Sequence, residues 1–152
     1  MKTLLTSLIL TCTALAAPAV VGPPENWLVG FQEGAPELRS ASKLAFGPAG
    51  ILFVADTKAA AVVAVATGDT QPATGERVLA VEGIDAKVAA LLGTAADEIL
   101  IEDMAVNPMS RRVYLAVSRG RGPEARAVLV RVGTDGVPAL VSLEKVGYIF
   151  LF

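Results

Sequence analysis

The chain has 152 residues, of which 53% are hydrophobic and 18% are charged, and its formal net charge is -2. It is too apolar to be disordered and has no basic excess, so nothing in the composition predicts nucleic-acid binding. It contains no histidine, which excludes Ser-His-Asp and Cys-His catalytic systems and the usual ligands of zinc, copper and haem. Acid-base chemistry by Asp or Glu, and hard cations held by carboxylates, remain open.

The first 16 residues have the pattern of a secretory signal peptide. Lys2 precedes an uncharged run over 4–15, and small residues occupy the positions that a signal peptidase reads. Cleavage is predicted after Ala16, with Ala19 as the alternative. Because the run is shorter than the roughly 20 residues of a membrane-spanning helix, a retained anchor is the weaker alternative. We therefore expect a periplasmic or secreted chain that has no membrane association once the signal is removed.

A Pro-rich leader is predicted over 17–41, and a pattern that occurs twice follows it, over 42–82 and again over 103–143. Each copy has a short strand, a turn built on proline, a nearly all-apolar strand, a polar turn and a third strand. Proline suits the first corner of a turn because its φ is already fixed near the required value. Fourth strands are predicted at 77–81 and 137–143, which gives four antiparallel strands per copy.

The central strand of the first copy, over 51–55, is apolar at every position. Such a strand must be covered on both faces, as in a stack of small sheets. The predicted fold is therefore all-β, a partial β-propeller of four-stranded antiparallel blades. A β-sandwich of eight strands has the same strand count and is the alternative. The similarity of the two copies favours blades, since sandwich strands need not repeat.

Two segments carry a resemblance to known propeller families. Residues 44–57, which read LAFGPAGILFVADT, resemble an NHL-type repeat of the six-bladed propellers. Residues 104–118 are similar to the more general YVTN-like and gluconolactonase-like pattern. The resemblance implies a propeller related to the gluconolactonase-like superfamily, and it implies a hard-cation-dependent, lactonase-like hydrolase as one alternative function.

Two features depart from that family pattern. Pro48 and Pro108 lie further apart than the roughly 40–50 residues of a blade, so a helical insertion is predicted over 83–102. Within it, 84–93 is typical of a short amphipathic helix with Asp85 near its N-cap and Gly93 at its end. The second departure is that two copies are too few to close a propeller.

The last residues, 144–152, form an apolar tail with three aromatic side chains, and it is predicted to fit no blade strand. Together with the small number of copies, the tail leads to two alternative expectations. In one, the chain is a truncated fragment of a longer propeller. In the other, the chain self-associates through the C-terminal tail.

Four polar residues near strand ends are the candidate ligand-binding residues: Asp56, Glu102, Asp103 and Asn107. Asp56 would face a central channel as a ligand or base, or would cap the turn that follows it. The other three have the oxygen chemistry of hard-cation sites in lactonase-like propellers. A Ca²⁺ site needs several more oxygens, so no metal, no cofactor and no catalytic residue are predicted.

The functional prediction is an exported binding or scaffold module, without catalysis, whose partner is a protein or a small-molecule ligand. A hard-cation-dependent lactonase-like hydrolase is one alternative, and a fragment without independent function is the other. Four loop arginines are also notable: Arg111, Arg112, Arg119 and Arg121. They would grip a carboxylate or phosphate, or would serve solubility and the protection of strand edges.

Overall fold

The computed structural model describes residues 26–74 and 80–152, so the predicted signal peptide lies outside the described residues. In chain order the helix and strands are β1 (Gln32–Gly34), β2 (Lys43–Phe46), β3 (Ile51–Asp56), β4 (Ala61–Ala66), α1 (Ile84–Leu92), β5 (Ile99–Val106), β6 (Val113–Arg119), β7 (Arg126–Val132), β8 (Pro138–Leu140) and β9 (Val146–Leu151). The prediction of an all-β fold is confirmed. In the described part of the chain, no helix is long and apolar enough to cross a membrane.

The strands form two antiparallel sheets that stack face to face. The first sheet has the order β1-β9-β4-β3-β2, and the second is an uninterrupted meander, β5-β6-β7-β8. Between the sheets lies the inter-sheet core, whose buried members are Ala41, Leu52, Val54, Tyr114, Ala116 and Leu129. The strongly apolar strands β3, β6 and β7 supply most of this core, because their alternate side chains point toward the opposite sheet.

Helix α1 packs on the other face of the second sheet. Val88 and Leu92, four residues apart and therefore on one side of the helix, are buried against Val117 and Val130. The helix ends at Gly93, whose φ of +65° lets its N–H turn back to the last carbonyls. Its N-cap is Gly83, and Asp85 lies in the first turn without a capping hydrogen bond.

The predicted insertion extends too far along the chain, because residues 99–102 belong to β5. Ile99 and Ile101 pack in the core between this sheet and α1, whereas Leu100 points away and is 58% exposed. Burial of the two isoleucines favours a strand over a connecting segment. A register shift between Ile101 and Asp103 lets this longer strand pair with β6 along its whole length.

The prediction that the C-terminal tail fits no strand is wrong. Residues 146–151 form β9, which lies between β1 and β4 and pairs with both. Apolar residues alternate onto both faces of this segment, which is the pattern of a strand inside a sheet. β9 occupies the position beside β4 that the sequence assigns to 77–81; of those residues the structure describes only Ala80 and Val81, which lie outside the strands. In the second copy, the fourth strand is β8.

β3 is less completely covered than its sequence predicts. Leu52 and Val54 face the second sheet and are fully buried, whereas Phe53 and Ala55 point away from it and are half-buried. Among the described helices and strands, the second sheet packs on the inward face of the first. The opposite face, which we call the outer face, has no such layer.

The turn before β3 approaches the segment after β4 closely at Gly50, and a substitution there tests the energetic effect of this contact. Its φ is +70°, and a Cβ at this position would lie 2.8 Å from the Asp69 carbonyl oxygen. We expect Gly50→Ala to lower the free energy of unfolding by about 2–4 kcal/mol, because backbone strain and a clash with rigid backbone add together. Urea denaturation measures the loss.

Gly68→Ala is the matched control. Gly68 has a similar φ of +67°, but no atom lies within 4 Å of its added Cβ. Only the backbone strain applies there, so the expected loss is about 1 kcal/mol. Equal losses in the two variants would show that the close approach has no energetic effect.

Candidate functional site

A buried carboxylate, Asp69, ties the two sheets together. It follows β4 in the first sheet and reaches the turn between β5 and β6, where it is only 4% exposed. Its Oδ2 accepts hydrogen bonds from Ser110 Oγ at 2.6 Å and from Tyr114 OH at 3.0 Å. Its Oδ1 accepts one from Arg112 Nη1 at 2.5 Å. Asn107 adds a fourth link by donating from Nδ2 to the Asp69 carbonyl oxygen at 2.8 Å.

The charge of Asp69 is stabilised by these partners. Burial by itself would raise the pKa of the carboxyl, but the hydrogen bonds from Ser110 and Tyr114 and the charge of Arg112 outweigh it and lower the pKa below its ordinary 3.8. Burial and the nearby Asp69 charge raise the pKa of Tyr114. At neutral pH the carboxylate is therefore ionised and fully paired, which makes it a structural tie rather than an available base.

Asp56 forms a second buried tie at the end of β3. It accepts hydrogen bonds from the N–H groups of Arg39 at 2.7 Å and Ser40 at 2.9 Å, and from the Ser40 hydroxyl at 2.8 Å. It also accepts one from the Ala59 N–H at 3.1 Å, in the turn that follows β3. Burial opposes ionisation, but these hydrogen bonds outweigh it and lower the pKa of Asp56. These contacts match the role of a cap on the turn after β3, and not that of a free ligand or base in a channel.

Asp103 and Glu102 lie next to each other at the bulge of β5 and have different partners. Asp103 Oδ2 accepts a hydrogen bond from the Leu44 N–H of β2 at 2.9 Å, and the Lys43 Nζ lies 3.7 Å from its Oδ1. The Leu44 hydrogen bond lowers the pKa of Asp103 more than desolvation raises it. The exposed Glu102 accepts a hydrogen bond from Ser118 Oγ at 2.9 Å. Asp103 therefore holds the edge strands of the two sheets together.

The four residues predicted as a site are thus divided among separate structural contacts. Asp56 holds the leader, Asp103 joins β2 to β5, and Asn107 belongs to the Asp69 cluster. Within residues 26–74 and 80–152, no three acidic or sulfur side chains are arranged to hold a metal ion. No buried side-chain nitrogen or oxygen there lacks a hydrogen-bond partner. The buried polar groups of this part of the chain are therefore used in joining its layers.

An apolar groove opens on the helix side of the second sheet. Its volume is about 700 Å³, and the apolar side chains that line it include Val81, Ile84, Met104, Val106, Val113 and Leu115. The start of α1 forms one wall and β5 forms the other. Since α1 covers only the first part of β5, Met104 and Val106 remain 63% and 50% exposed at the groove.

Arg111 is the one ionisable residue among those that line the groove. Its side chain is exposed and forms no salt bridge with the described residues. Its φ of +58° is unusual for a side-chain-bearing residue and places it at the last bend before β6. The other polar lining residue, Asn107, is already bound to the Asp69 segment. The groove therefore combines an apolar surface with a single available cation.

The loop arginines have separate roles. Arg112 pairs with Asp69, and Arg121 donates to the Asp97 carbonyl oxygen. Arg111 lies at the groove, and Arg119 is exposed. Sequence reasoning identified these arginines but missed both Asp69 and the groove. The one available signal for Asp69 was the polar Thr67-Gly68-Asp69 directly after an apolar strand; no local signal marks the groove.

Comparisons of this chain with protein-family models, with curated proteins and with solved structures found no match. The chemistry of its own groove and buried aspartates is what bears on its function.

We expect Asp69→Asn to lower the free energy of unfolding at pH 7 by about 2–3 kcal/mol, because the charged hydrogen bonds of a buried carboxylate are lost. The pKa of Asp69 is lower in the folded chain than in the unfolded one, so its contribution is fully present above the ordinary pKa and is lost as the pH falls through the folded-state pKa. The difference in the free energy of unfolding between wild type and Asp69→Asn should therefore decrease below pH 3.8.

Urea denaturation at several pH values from 7 to 2 measures this difference. The control is Asp97→Asn, since Asp97 is exposed and its side chain forms no salt bridge or hydrogen bond with the described residues. It should change the stability by less than about 0.5 kcal/mol at any pH. If the free energies of unfolding of wild type and Asp69→Asn differed by the same amount from pH 7 to pH 2, Asp69 would not stabilise the fold as an ionised carboxylate.

Proposed function

We propose that this chain is an exported, propeller-like binding module that holds a small amphiphilic anion in the groove between β5 and α1. The observation that carries the proposal is an apolar groove of about 700 Å³ in which Arg111 is the one ionisable lining residue. Small-molecule sites commonly have about 300–1,000 Å³, a mostly apolar lining and a few polar groups that fix the orientation of the ligand. The groove has each of these properties.

The lining defines the class of ligand. An apolar body would lie along Met104 and Val106, where it would remove exposed hydrophobic surface from water. A carboxylate or a similar head group would pair with Arg111, whose planar guanidinium can donate two parallel hydrogen bonds to it. No acidic residue lines the groove to repel the head group or to act as a general base. This favours binding over hydrolysis.

The contacts of the predicted site residues also favour binding. A lactonase-like reaction would need carboxylates that are free to hold a cation. Asp56 and Asp103 instead accept hydrogen bonds from backbone N–H groups, which hold the layers in place. The hydrolase alternative therefore gains no support from the geometry.

The propeller part of the proposal rests on strand order and on the resemblance of residues 44–57 to an NHL-type repeat. Each sheet contains a four-stranded antiparallel unit, β2-β3-β4-β9 in the first and β5-β6-β7-β8 in the second. The first strands of the two units, β2 and β5, are neighbours and are joined by the Leu44 hydrogen bond to Asp103. Stacked units with adjacent first strands are what propeller blades would provide. Export rests on the signal pattern of the first 16 residues.

A pair of ligands separates the head-group contact from the apolar contact. Dodecanoate and dodecanol share an apolar chain but differ in charge, so calorimetric titration with both isolates the contribution of Arg111. Arg111→Gln should weaken dodecanoate binding about tenfold, which corresponds to about 1.4 kcal/mol, and leave dodecanol binding unchanged. Arg111→Gly should weaken dodecanoate binding to the same extent, while relief of the positive φ raises the stability by up to about 1 kcal/mol.

Met104→Asp should weaken the binding of both dodecanoate and dodecanol, because it places a carboxylate in the apolar part of the groove. Leu140→Asp is its control, since Leu140 is similarly exposed on β8 and does not line the groove. Arg39→Gln is the control for the Arg111 variants. It also removes one arginine side chain, but Arg39 contacts Asp56 only through its backbone N–H, so the fold should be unaffected. Equal affinity of wild type and Met104→Asp for dodecanoate would rule out this groove as the binding site.

A further inference from the structure

The hairpin that joins β6 to β7 has an arginine at each side of its turn. Arg119 ends β6, Arg126 begins β7, and the two are direct cross-strand partners, the last pair before the turn. Residues directly opposite each other in an antiparallel pair have Cβ atoms about 4.5–5.5 Å apart, and like charges in that arrangement are destabilising. Two positive charges therefore lie side by side where the sheet by itself gains nothing from them.

Both arginine side chains lie on the helix side of the second sheet. Side chains alternate along a strand, so Arg119 shares a face with Val117, and Arg126 shares one with Val128. Val117 is buried in the core beneath α1, and Val128 packs against that core. Arg119 is also in register with Ile99, another member of the same core. The two arginines themselves are exposed, so both guanidinium groups are accessible from one side of the sheet.

A small pocket lies against these two arginines. Its volume is about 290 Å³, and Thr94, Gly120 and Glu124 complete its lining. Small-molecule sites commonly have about 300–1,000 Å³ and a mostly apolar lining. This pocket is slightly smaller and has no large apolar side chain, so it suits a small ion or a polar head group.

The chain does not neutralise the charges of the pair. Each salt bridge among residues 26–74 and 80–152 involves another cation than Arg119 or Arg126. Glu124 is the one acidic residue of the pocket lining, and it forms no ion pair with either of them. Arg121, in the turn between them, donates to the Asp97 carbonyl oxygen instead. In the described part of the chain, the pair has no anionic partner.

The end of α1, which lies close to Thr94, does not supply that partner either. Cations near the last turn of a helix often interact with its free carbonyl groups. Here the Ala90 carbonyl accepts a hydrogen bond from the Gly93 N–H, and the Ala89 carbonyl accepts one from the Thr94 N–H. The guanidinium hydrogen bonds found among the described residues go to Asp69 and Asp97, and none goes to α1.

We infer that Arg119 and Arg126 form a binding site for a phosphate group, either as the free ion or as part of a monoester. A phosphate monoester carries a charge of about −1.5 to −2 at neutral pH, which offsets both guanidinium groups. Its oxygens are numerous enough for each arginine to donate two hydrogen bonds. A carboxylate has one charge and two oxygens, so it can pair in this way with only one of the two. Binding of a phosphate group turns the repulsion across the hairpin into a bridge.

Amide chemical shifts of the isotope-labelled whole chain, titrated at pH 7 and constant ionic strength, test this inference. The probes are inorganic phosphate, methyl phosphate and acetate. The signals of residues 119–126 should move with either phosphate and reach a plateau at millimolar concentrations, and acetate should bind at least about tenfold more weakly. The plateau matters because exclusion of phosphate from protein surfaces in general does not saturate. Tighter binding of methyl phosphate would assign the site to monoesters, and tighter binding of inorganic phosphate would assign it to the free ion.

Arg126→Glu tests the pair itself. It places a carboxylate opposite Arg119, so the repulsion becomes an attraction and the melting temperature in chloride should rise. The affinity for phosphate should fall at least about tenfold, because one charged bidentate contact is lost. A higher melting temperature also excludes damage to the fold as the cause. Arg39→Glu is the matched control: Arg39 is exposed, and it contacts Asp56 only through its backbone N–H, so the same change of charge there should leave phosphate binding intact.

Four outcomes would overturn the inference. One is a wild-type chain without saturable shifts up to tens of millimolar phosphate, and another is saturable shifts confined to residues outside the pocket. The third is acetate that binds as tightly as phosphate. The fourth is an Arg126→Glu chain that keeps the wild-type affinity. None of them bears on dodecanoate binding, because the pocket and the apolar groove share no lining residue.

Discussion

A buried ionic contact, that of Asp69 with the turn between β5 and β6, sets the relative position of the two sheets, and the Asp103 contact with β2 adds a second link between them. At that turn, a carboxylate from the first sheet is held by a hydroxyl, a phenol and a guanidinium of the second. Apolar burial is not directional, so it specifies the relative position of the two sheets less sharply than directed hydrogen bonds do. Directed hydrogen bonds to a desolvated charge fix one relative position, since any other would leave that charge unpaired. The turn held in this way also carries Arg111, so the contact sets the position of the groove's rim.

The ties made by Asp56 and Asp103 extend the same principle to other parts of the fold. Each carboxylate accepts a hydrogen bond from a backbone N–H of another segment: Asp56 holds the leader, and Asp103 holds the exposed edge of β2. A free strand edge invites pairing with other chains, and occupying one of its N–H groups reduces that risk. Cys12 is the only cysteine in the sequence, so no disulfide within the chain can hold these segments together in place of the hydrogen bonds.

Local signals in the sequence predicted many of the strands and the helix, but not β1, the first half of β5 or β9. Proline turns and runs of apolar residues predicted β2 to β4, the second half of β5 and β6 to β8, and the amphipathic pattern of 84–93 with its terminal Gly93 predicted α1. The place of β9 could not be predicted in this way, because its partners β1 and β4 are distant in sequence and pairing leaves no local mark. The groove was missed for a related reason. Met104 and Val106 look like core residues until it is known how far α1 extends along β5.

The position of β9 imposes an order on the folding of this chain. The first sheet begins with β1, among the earliest described residues, but the strand that joins β1 to β4 is β9, the last of the described strands in chain order. Until residues 146–151 emerge, β1 has no partner and β4 has an open edge, so the sheet cannot form cooperatively while the chain is still growing. The first sheet is therefore completed only after all strands of the second sheet have been synthesised, and the pairing of β9 is a late, long-range step in folding.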